Sequence, residues 1–150
     1  MLKHLSIIQH NLGKSLSAQY SLFQIGIKRK ADILVIQEPY INRKSKQPLR
    51  HQGYTMIIPP TTNNTHPRVA IYIKNISTIN YLHRLDLKTD TDSIILEIQQ
   101  PGFLPFLLIN IYNEKDINRV YTLERLLPNL NLEREGKEIL LIGDLNSHHS

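Results

Sequence analysis

Asp144 and Asn146 are the residues of this sequence whose types and spacing best suit chemistry on a substrate. They follow the apolar run 139–142 and Gly143, which we interpret as a strand buried on both faces and a glycine that ends it by its conformational freedom. Residues two apart in an extended segment share a face. The carboxylate could bind a hard cation or position water, and the amide could donate to a developing oxyanion. A turn that caps the strand is the alternative.

Three earlier polar residues also stand where a predicted buried strand ends. They are Asn11, Glu38 and Tyr112, after strands predicted over 5–11, 31–38 and 105–112. Repeated placement at strand exits predicts one cleft built on a rigid sheet scaffold. Glu38, helped by Asn11, offers oxygen ligands to Mg²⁺, with Mn²⁺ as a substitute. Tyr112 could donate to a phosphate oxygen, and Asp144 could orient or deprotonate an attacking water.

The remaining elements form a mixed α/β pattern. Ser15 is a predicted N-cap for a helix that places Leu16, Tyr20, Phe23 and Ile27 on one apolar face. If the first two strands are parallel, the helix between them brings Asn11 and Glu38 together. Further strands are predicted over 53–58, 68–74, 79–85 and 93–98, and a second helix over 115–132 with an interruption at Pro128.

Length and composition restrict the class of protein. The 150 residues fit one domain, and the net charge of +5 with a pI near 9.5 favours a polyanionic partner. The absence of cysteine excludes disulfides and thiolate zinc sites. No apolar run reaches the roughly 20 residues of a membrane span, and no signal peptide is evident. We therefore expect an intracellular location, with the nucleus left open, and neither a membrane partner nor a small-molecule cofactor.

Several charged residues lie in predicted loops. The polar segment 41–52 carries Arg43, Lys44, Lys46 and Arg50, which could contact phosphate or simply keep the loop solvated. His148 is interpreted as a loop residue that could touch the substrate. Asp86, Asp90 and Asp92 are most simply residues of a solvated loop.

An ordered set of motifs resembles a known family. Gln9-His-Asn11, Val35-Ile-Gln-Glu-Pro39, Asn110-Ile-Tyr112 and Gly143-Asp-Leu-Asn146 resemble the successive motifs of the exonuclease/endonuclease/phosphatase superfamily with its DNase I-like fold. Within it, Gln37-Glu-Pro39, the strand from Arg68 and the segment 143–149 are most similar to the apurinic-type endonuclease domain of non-LTR retrotransposons. The similarity extends across the whole chain.

The resemblance implies a four-layered α/β sandwich and a DNA substrate. It implies Asn11 and Glu38 at the metal, Tyr112 at a phosphate, and Asp144 with Asn146 at the attacking water and transition state. The family also closes its site with a late Ser-Asp-His motif, which these 150 residues do not contain. We therefore expect residues 1–150 to be the N-terminal two-thirds of such a domain, incomplete at the C-terminus.

Three functions follow from the resemblance. The first is a Mg²⁺-dependent phosphodiesterase that nicks DNA as the endonuclease of a reverse transcriptase-associated retrotransposon protein, weak or inactive as these 150 residues alone. The second is a truncated, inactive remnant that at most binds nucleic acid. The third is another phosphoesterase of the superfamily, against which Gln37-Glu-Pro39 and the basic charge argue modestly.

Overall fold

Two four-stranded sheets pack face to face in the computed structural model, with one helix on the outer face of each. The structure describes residues 4–61, 65–87, 91–115, 118–130 and 136–144. The order of layers is therefore helix, sheet, sheet, helix, which confirms the predicted four-layered α/β sandwich. No helix in the described ranges is long and apolar enough to cross a membrane.

The first sheet has the strand order β1-β2-β4-β3. Its strands are β1 (Ile7–Asn11), β2 (Ile33–Gln37), β3 (Tyr54–Ile57) and β4 (Val69–Lys74). β1 and β2 are parallel, as predicted, with α1 (Leu16–Lys28) connecting them. β4 pairs with both β2 and β3 in the antiparallel sense. Among the described residues β1 lies at an edge of the sheet, and its isoleucines are half-buried instead of being covered on both faces as predicted.

The second sheet has the strand order β5-β6-β7-β8. Its strands are β5 (Asn80–His83), β6 (Ser93–Gln99), β7 (Phe106–Tyr112) and β8 (Glu138–Asp144). β5, β6 and β7 form an antiparallel meander, and β8 pairs parallel to β7. The antiparallel pairing of β6 with β7 places the start of β6 beside the end of β7, and the parallel pairing of β7 with β8 brings the end of β8 to the same side.

Side chains alternate between the layers along the central strands. Val35, Ile71, Ile94 and Leu108 belong to the core between the sheets, where each strand contributes every second residue. The intervening residues of the first sheet pack against α1, and those of the second sheet pack against α2 (Thr122–Leu126). Strands that are buried on both faces account for the uninterrupted apolar runs of the sequence.

The buried face of α1 differs from the predicted one. Ser15 caps the helix, as predicted, by accepting a hydrogen bond from the amide of Ala18. Of the predicted face, however, only Phe23 is buried, whereas Leu16, Tyr20 and Ile27 are exposed. The helix instead turns Gln19, Leu22, Phe23 and Gly26 inward. A Cβ on Gly26 would lie 2.8 Å from the hydroxyl of Tyr54, so the absence of a side chain permits this close approach.

The second helix is much shorter than the predicted span 115–132. Five residues form α2, and a single 3₁₀ turn, Leu127–Asn129, follows it. Before the helix, Arg119 adopts a left-handed φ of 61°, and Lys115 pairs with Tyr121 in an isolated β-bridge. A left-handed backbone at a residue other than glycine interrupts an α-helix, which explains the late start.

β8 is an edge strand within the described residues. Leu140 and Leu141 are therefore 40% and 41% exposed, so the prediction of burial on both faces is wrong. The predicted role of Gly143 is also wrong, because β8 continues through this residue to Asp144. A Cβ at Gly143 would overlap the carbonyl oxygen of Ile111 on β7. The glycine is thus required by the close contact of two strands.

Candidate active site

The carboxyl ends of β1, β2, β7 and β8 meet at one end of the sandwich. Asn11 lies opposite Gln37 in the first sheet, and Tyr112 lies opposite Asp144 in the second. Glu38 follows β2 directly, and its backbone N–H donates to the carbonyl oxygen of Arg68, 2.8 Å away. Side chains from both sheets therefore surround one region at this end.

A hydrogen bond joins the two sheets across this region. The side-chain amide of Asn11 donates to Oδ2 of Asp144 at 2.6 Å. Oδ1 of Asn11 accepts from the backbone N–H of Gly13 at 2.9 Å, which fixes the orientation of the amide. The residues after Asp144 that a strand-capping turn would need lie outside the described ones, so that alternative stays a prediction. Asp144 is the last residue of β8 and half-buried. Its carboxylate is held in place while part of it faces solvent.

Tyr112 links the carboxylates of the two sheets. Burial, followed by the hydrogen bond that its hydroxyl donates to Glu38, raises the pKa of Tyr112 to about 12. The negative charge of Asp144 acts in the same direction, and the guanidinium of Arg68 opposes it. Tyr112 therefore stays protonated at neutral pH and remains a hydrogen-bond donor.

The backbone of Glu38 is held in an uncommon conformation. Its φ is +48°, in the left-handed region that residues with a Cβ rarely adopt. Two backbone hydrogen bonds stabilise it, one from its N–H to Arg68 and one from the N–H of Lys14 to its carbonyl oxygen, each 2.8 Å long. Lys14 is itself left-handed, with φ +62°. Strained residues that the surrounding structure holds in place are typical of functional sites.

Arg68 lies beneath Tyr112 in a cluster of charges. Its guanidinium carbon is 5.2 Å from the centre of the Tyr112 ring, at cation–π distance. Nε of Arg68 is 3.0 Å from Asp92, and a second nitrogen pairs with Glu114. Asp92 is only 5% exposed and also lies 3.7 Å from Arg125. The prediction that Asp92 belongs to a solvated loop is therefore wrong, because it is the buried anion that positions Arg68.

A chain of side-chain amides runs from the exposed Gln9 into the core and supports the site from below. Gln9 donates to Gln37 at 2.5 Å, and Gln37 donates to Oδ1 of Asn110 on β7 at 2.8 Å. Asn110 donates in turn to the carbonyl oxygens of Ile36 and Ala70, both at 3.0 Å. Gln37 and Asn110 have no exposed surface. These bonds fix the register between the two sheets one residue below Glu38 and two below Tyr112.

A cleft of about 490 Å³ opens beside Glu38. Two short segments form most of its wall, 38–41 after β2 and 65–68 before β4. The described residues that line it are Lys14, Glu38, Pro39, Tyr40, Ile41, Thr65, His66, Pro67, Arg68 and Thr91. Most of the surface of the cleft is apolar. Its lining also includes the carboxylate of Glu38 and two cationic residues, Lys14 and Arg68. Glu38 thus belongs both to the carboxylate cluster and to this cleft.

The predicted phosphate contacts of the basic loop stay a prediction. Arg43, Lys44, Lys46 and Arg50 are exposed on the loop between β2 and β3, and none is among the residues that line the cleft. The cations that do line it are Lys14 and Arg68, which sequence reasoning missed. Arg68 could have been found from its place directly before a buried strand. Asn146, His148 and Asp90 lie outside the described residues, so their predicted positions stay predictions.

The donor set at this end is compatible with a divalent cation. Glu38 and Asp144 are half-buried carboxylates, and the amide of Asn11 lies between the sheets beside Asp144. Mg²⁺ commonly takes one or two protein carboxylates and keeps waters or substrate phosphate as its other ligands. Within the described ranges no group of three histidine, cysteine or acidic residues could enclose a metal ion.

Comparison with solved structures identifies the fold. The endonuclease domain of TRAS1, a telomere-specific non-LTR retrotransposon, matches 97% of this chain with a TM-score of 0.73 and 22% sequence identity. D. rerio TDP2 complexed with single-strand DNA product matches with a TM-score of 0.61 and 17% identity, over 97% of this chain and 62% of TDP2. ANGEL2, a 2′,3′-cyclic phosphatase, matches with a TM-score of 0.58 and 15% identity, over 95% of this chain and 53% of ANGEL2.

These similarities confirm the predicted DNase I-like fold, which the matched structures share. The chain spans 61% of the length of the TRAS1 domain. No model of a protein family matches the sequence, and no curated protein matches it. Proteins with this fold generally use divalent metal ions, and the matched structures include an endonuclease domain and a phosphatase.

Proposed function

We propose that this chain, which has the DNase I-like fold, is a Mg²⁺-dependent phosphodiesterase that cleaves DNA, as the endonuclease part of a retrotransposon-type reverse transcriptase protein. The observation that carries the proposal is the meeting of Glu38, Tyr112 and Asp144 at one end of the sandwich, with Asn11 bonded to Asp144. The fold of the TRAS1 endonuclease domain supports the choice of DNA. We assign residues 1–150 to the N-terminal two-thirds of such a domain.

The residues take the following roles. Glu38 and Asn11 would hold Mg²⁺, which when bound polarises a phosphate oxygen and stabilises negative charge. Asp144, oriented by Asn11, positions the attacking water and accepts its proton. Tyr112, protonated at neutral pH, would turn its one hydroxyl proton from Glu38 to a phosphate oxygen in the substrate complex. Asn146 would donate to the transition state from the residues that follow β8.

We expect these 150 residues to cleave DNA slowly. The resemblance to the endonuclease family implies a further histidine that stabilises the transition state, and the 150 residues contain no Ser-Asp-His motif. Loss of one preorganised electrostatic donor typically lowers the rate by a factor of about 10² to 10³. The alternative function, an inactive remnant that only binds nucleic acid, differs from the proposal in one respect, because it predicts no metal-dependent cleavage at any enzyme concentration.

Nicking of supercoiled plasmid at high enzyme concentration tests the proposal. We expect slow nicking in Mg²⁺ that EDTA stops and that Glu38→Ala and Asp144→Ala each abolish. Glu124→Ala, which removes an exposed carboxylate from α2, is the matched control and should nick like the unchanged chain. Nicking that survives both site variants would disprove the assignment, and DNA binding without any nicking would favour the remnant.

Calorimetric titration with Mn²⁺ tests the metal site without relying on activity. Glu38→Gln keeps the shape of the side chain but removes its charge, so it should weaken binding of the cation. Glu124→Gln should leave the binding isotherm unchanged. Equal Mn²⁺ affinity in the unchanged chain and in Glu38→Gln would remove Glu38 from the proposed ligand set.

A further inference from the structure

A second cleft lies at the end of the first sheet that is opposite to Glu38. It opens where the C-terminal end of α1 meets the first residue of β3 and the last residue of β4, and its volume is about 440 Å³. β2 begins at this end of the sheet and leads to Glu38 at the other end. We call this second cleft the basal cleft. Its volume is within the usual range for ligand-binding sites.

The buried residues that line the basal cleft form an apolar floor. Gly26 and Ala31 are buried, and so is Tyr54, whose hydroxyl donates to the carbonyl oxygen of Ala31 at 3.2 Å. The carbonyl oxygen of Gly26 accepts a hydrogen bond from the N–H of Ala31 at 2.8 Å. Because these two carbonyl groups already have partners, a ligand on this floor gains mainly from the burial of apolar surface.

Two exposed isoleucines extend the apolar surface beyond the cleft. Ile27 of α1 is 51% exposed and Ile76, which follows β4, is 89% exposed, and both are among the lining residues. A single exposed apolar side chain is ordinary, whereas several beside one cleft indicate an interaction surface. A small molecule enclosed by the cleft would leave most of Ile76 in water. A peptide chain that continues over the rim of the cleft can cover it.

Two lysines make the rim of the basal cleft positive. Lys30 is exposed and Lys74 is half-buried, and neither forms an ion pair in the part of the chain that the structure describes. The described lining contains no carboxylate. Asp32, which follows closely in the sequence, accepts a hydrogen bond from the backbone N–H of Ser6 instead. Two cations are therefore available to an acidic ligand.

Lys30 occupies a backbone position that suits glycine. Its φ is +55°, the left-handed conformation in which many helices end and which glycine adopts most readily. The N–H of Lys30 donates to the carbonyl oxygen of Ile27 at 3.1 Å, which holds the backbone in this conformation. Residues that are held in such conformations at a cost in stability are typical of functional sites. The end of α1 thus keeps a lysine beside the cleft where glycine would be less strained.

We propose that the basal cleft binds a peptide segment of a partner protein in which an apolar side chain is flanked by acidic residues. The apolar side chain lies on the floor formed by Ala31 and Tyr54, and the flanking carboxylates pair with Lys30 and Lys74. Nucleic acid fits less well, because an apolar floor contributes nothing to the binding of phosphate. The inference goes beyond the proposed function and does not depend on it, since the basal cleft and Glu38 lie at opposite ends of β2.

Fluorescence polarisation with a panel of labelled peptides tests the proposal on the complete chain. Each peptide carries one Leu, Ile, Phe or Trp between two pairs of Asp or Glu. One set of controls replaces the apolar residue by Ala, and a second set replaces the acidic residues by Gln. We expect acidic peptides with an apolar residue to bind roughly tenfold more tightly than either control, and to bind more weakly in high salt. Equal affinity of every such peptide and its Ala control would overturn the proposal.

Lys30→Gly separates the binding of the peptide from the stability of the fold. The change removes a cation and relieves the left-handed backbone, so the chain should be at least as stable in urea while peptide affinity falls by about two- to fivefold. Arg119→Gly is the matched control, because Arg119 is an exposed basic residue with a φ of +61°. It should leave peptide affinity unchanged. Equal affinities in the two variants would contradict the charge pairing on which the choice of an acidic ligand rests.

Ile76→Ser tests the apolar part of the surface. Because Ile76 is almost fully exposed, its replacement should not disturb the fold, and we expect peptide affinity to fall by roughly fivefold. Leu104→Ser, at a residue that is 83% exposed between β6 and β7, is the matched control and should have no effect. A loss of affinity that is the same in both variants would contradict the assigned surface.

Two further measurements distinguish the peptide from other occupants. If a DNA duplex displaces the peptide, and Lys30→Gly and Lys74→Gln weaken the binding of DNA as much as that of the peptide, the surface is a nucleic-acid contact and the proposal is wrong. Analytical ultracentrifugation detects a second copy of the chain as the occupant. Dimers that Ile76→Ser dissociates, in a chain that binds no peptide of the panel, would also disprove the proposal.

Discussion

Asn110 offers a test of how the two sheets are held together beneath the site. Its amide accepts one hydrogen bond from Gln37 and donates two to backbone carbonyl oxygens of the opposite sheet, in a region without solvent. Asn110→Ala removes all three bonds. It also leaves the buried amide nitrogen of Gln37 without its acceptor, which is costly because water cannot replace it.

The magnitude follows from the number of bonds. Each contributes a net of about 0.5–1.5 kcal/mol, so the three together give about 1.5–4.5 kcal/mol of destabilisation. For a domain of this size each kcal/mol lowers Tm by about 2–4 °C, which predicts a fall of about 3–18 °C. Asn80→Ala makes the same substitution at an exposed position of β5 and should change stability by less than about 0.5 kcal/mol.

Urea unfolding followed by circular dichroism measures both variants. A double variant sharpens the test, because replacing both partners by apolar residues avoids an unpaired buried group. Asn110→Leu combined with Gln37→Met should therefore cost less than the sum of the two single changes, by about 0.5–3 kcal/mol. Asn110→Ala as stable as Asn80→Ala, or strictly additive single changes, would refute the role of the amide chain.

Three further predictions concern stability. Gly143→Ala forces a Cβ into the carbonyl oxygen of Ile111 and should lower the free energy of unfolding by more than about 2 kcal/mol, measured by urea titration; a neutral effect would show that β7 and β8 can separate. Burial raises the pKa of Tyr72, so the folded state keeps a proton that the unfolded state loses above the ordinary value of 10.0. Stability should therefore fall as the pH rises above that value, and Tyr72→Phe should reduce this fall when unfolding is compared at increasing alkaline pH; an identical pH dependence in both chains would count against the assignment. Asp92→Asn removes the buried anion of the charge cluster and should destabilise by about 1–3 kcal/mol in urea, whereas Asp86→Asn, at an exposed ion pair, should cost less than about 1 kcal/mol; equal effects would contradict the distinction.

The central strands could be predicted from the sequence because a strand that is buried on both faces has an uninterrupted apolar run. β2, β4, β6 and β7 were all expected, and so was the polar residue at the exits of β1, β2, β7 and β8. The face of α1 could not be predicted, since it depends on where Gly26 allows contact with Tyr54 on another strand. The burial of Asp92 was missed for a similar reason: its partners Arg68 and Arg125 are distant in sequence. The local sequence pattern around a residue gives no information on such pairings between distant parts of the chain.

The cleft illustrates the same limit at the site. Lys14, Tyr40 and His66 belong to three separate loops, and none of them forms a motif with a neighbour. Charge density in the sequence drew attention to Arg43 and Lys44, which are exposed and are not among the lining residues. Residues at strand exits are predictable because the sheet orders them, whereas loop residues meet only after the chain has folded.

The hydrogen bond between Asn11 and Asp144 connects residues 133 positions apart, and this distance along the chain affects the order of events during synthesis. The first strand leaves the ribosome long before its partner exists. Contacts of such large sequence separation form late, because closing the loop between them costs entropy before any contact is gained. The nascent polypeptide therefore cannot bring Asn11 and Asp144 together until β8 has emerged and paired with β7. The two halves of the proposed site are joined only at that point of synthesis.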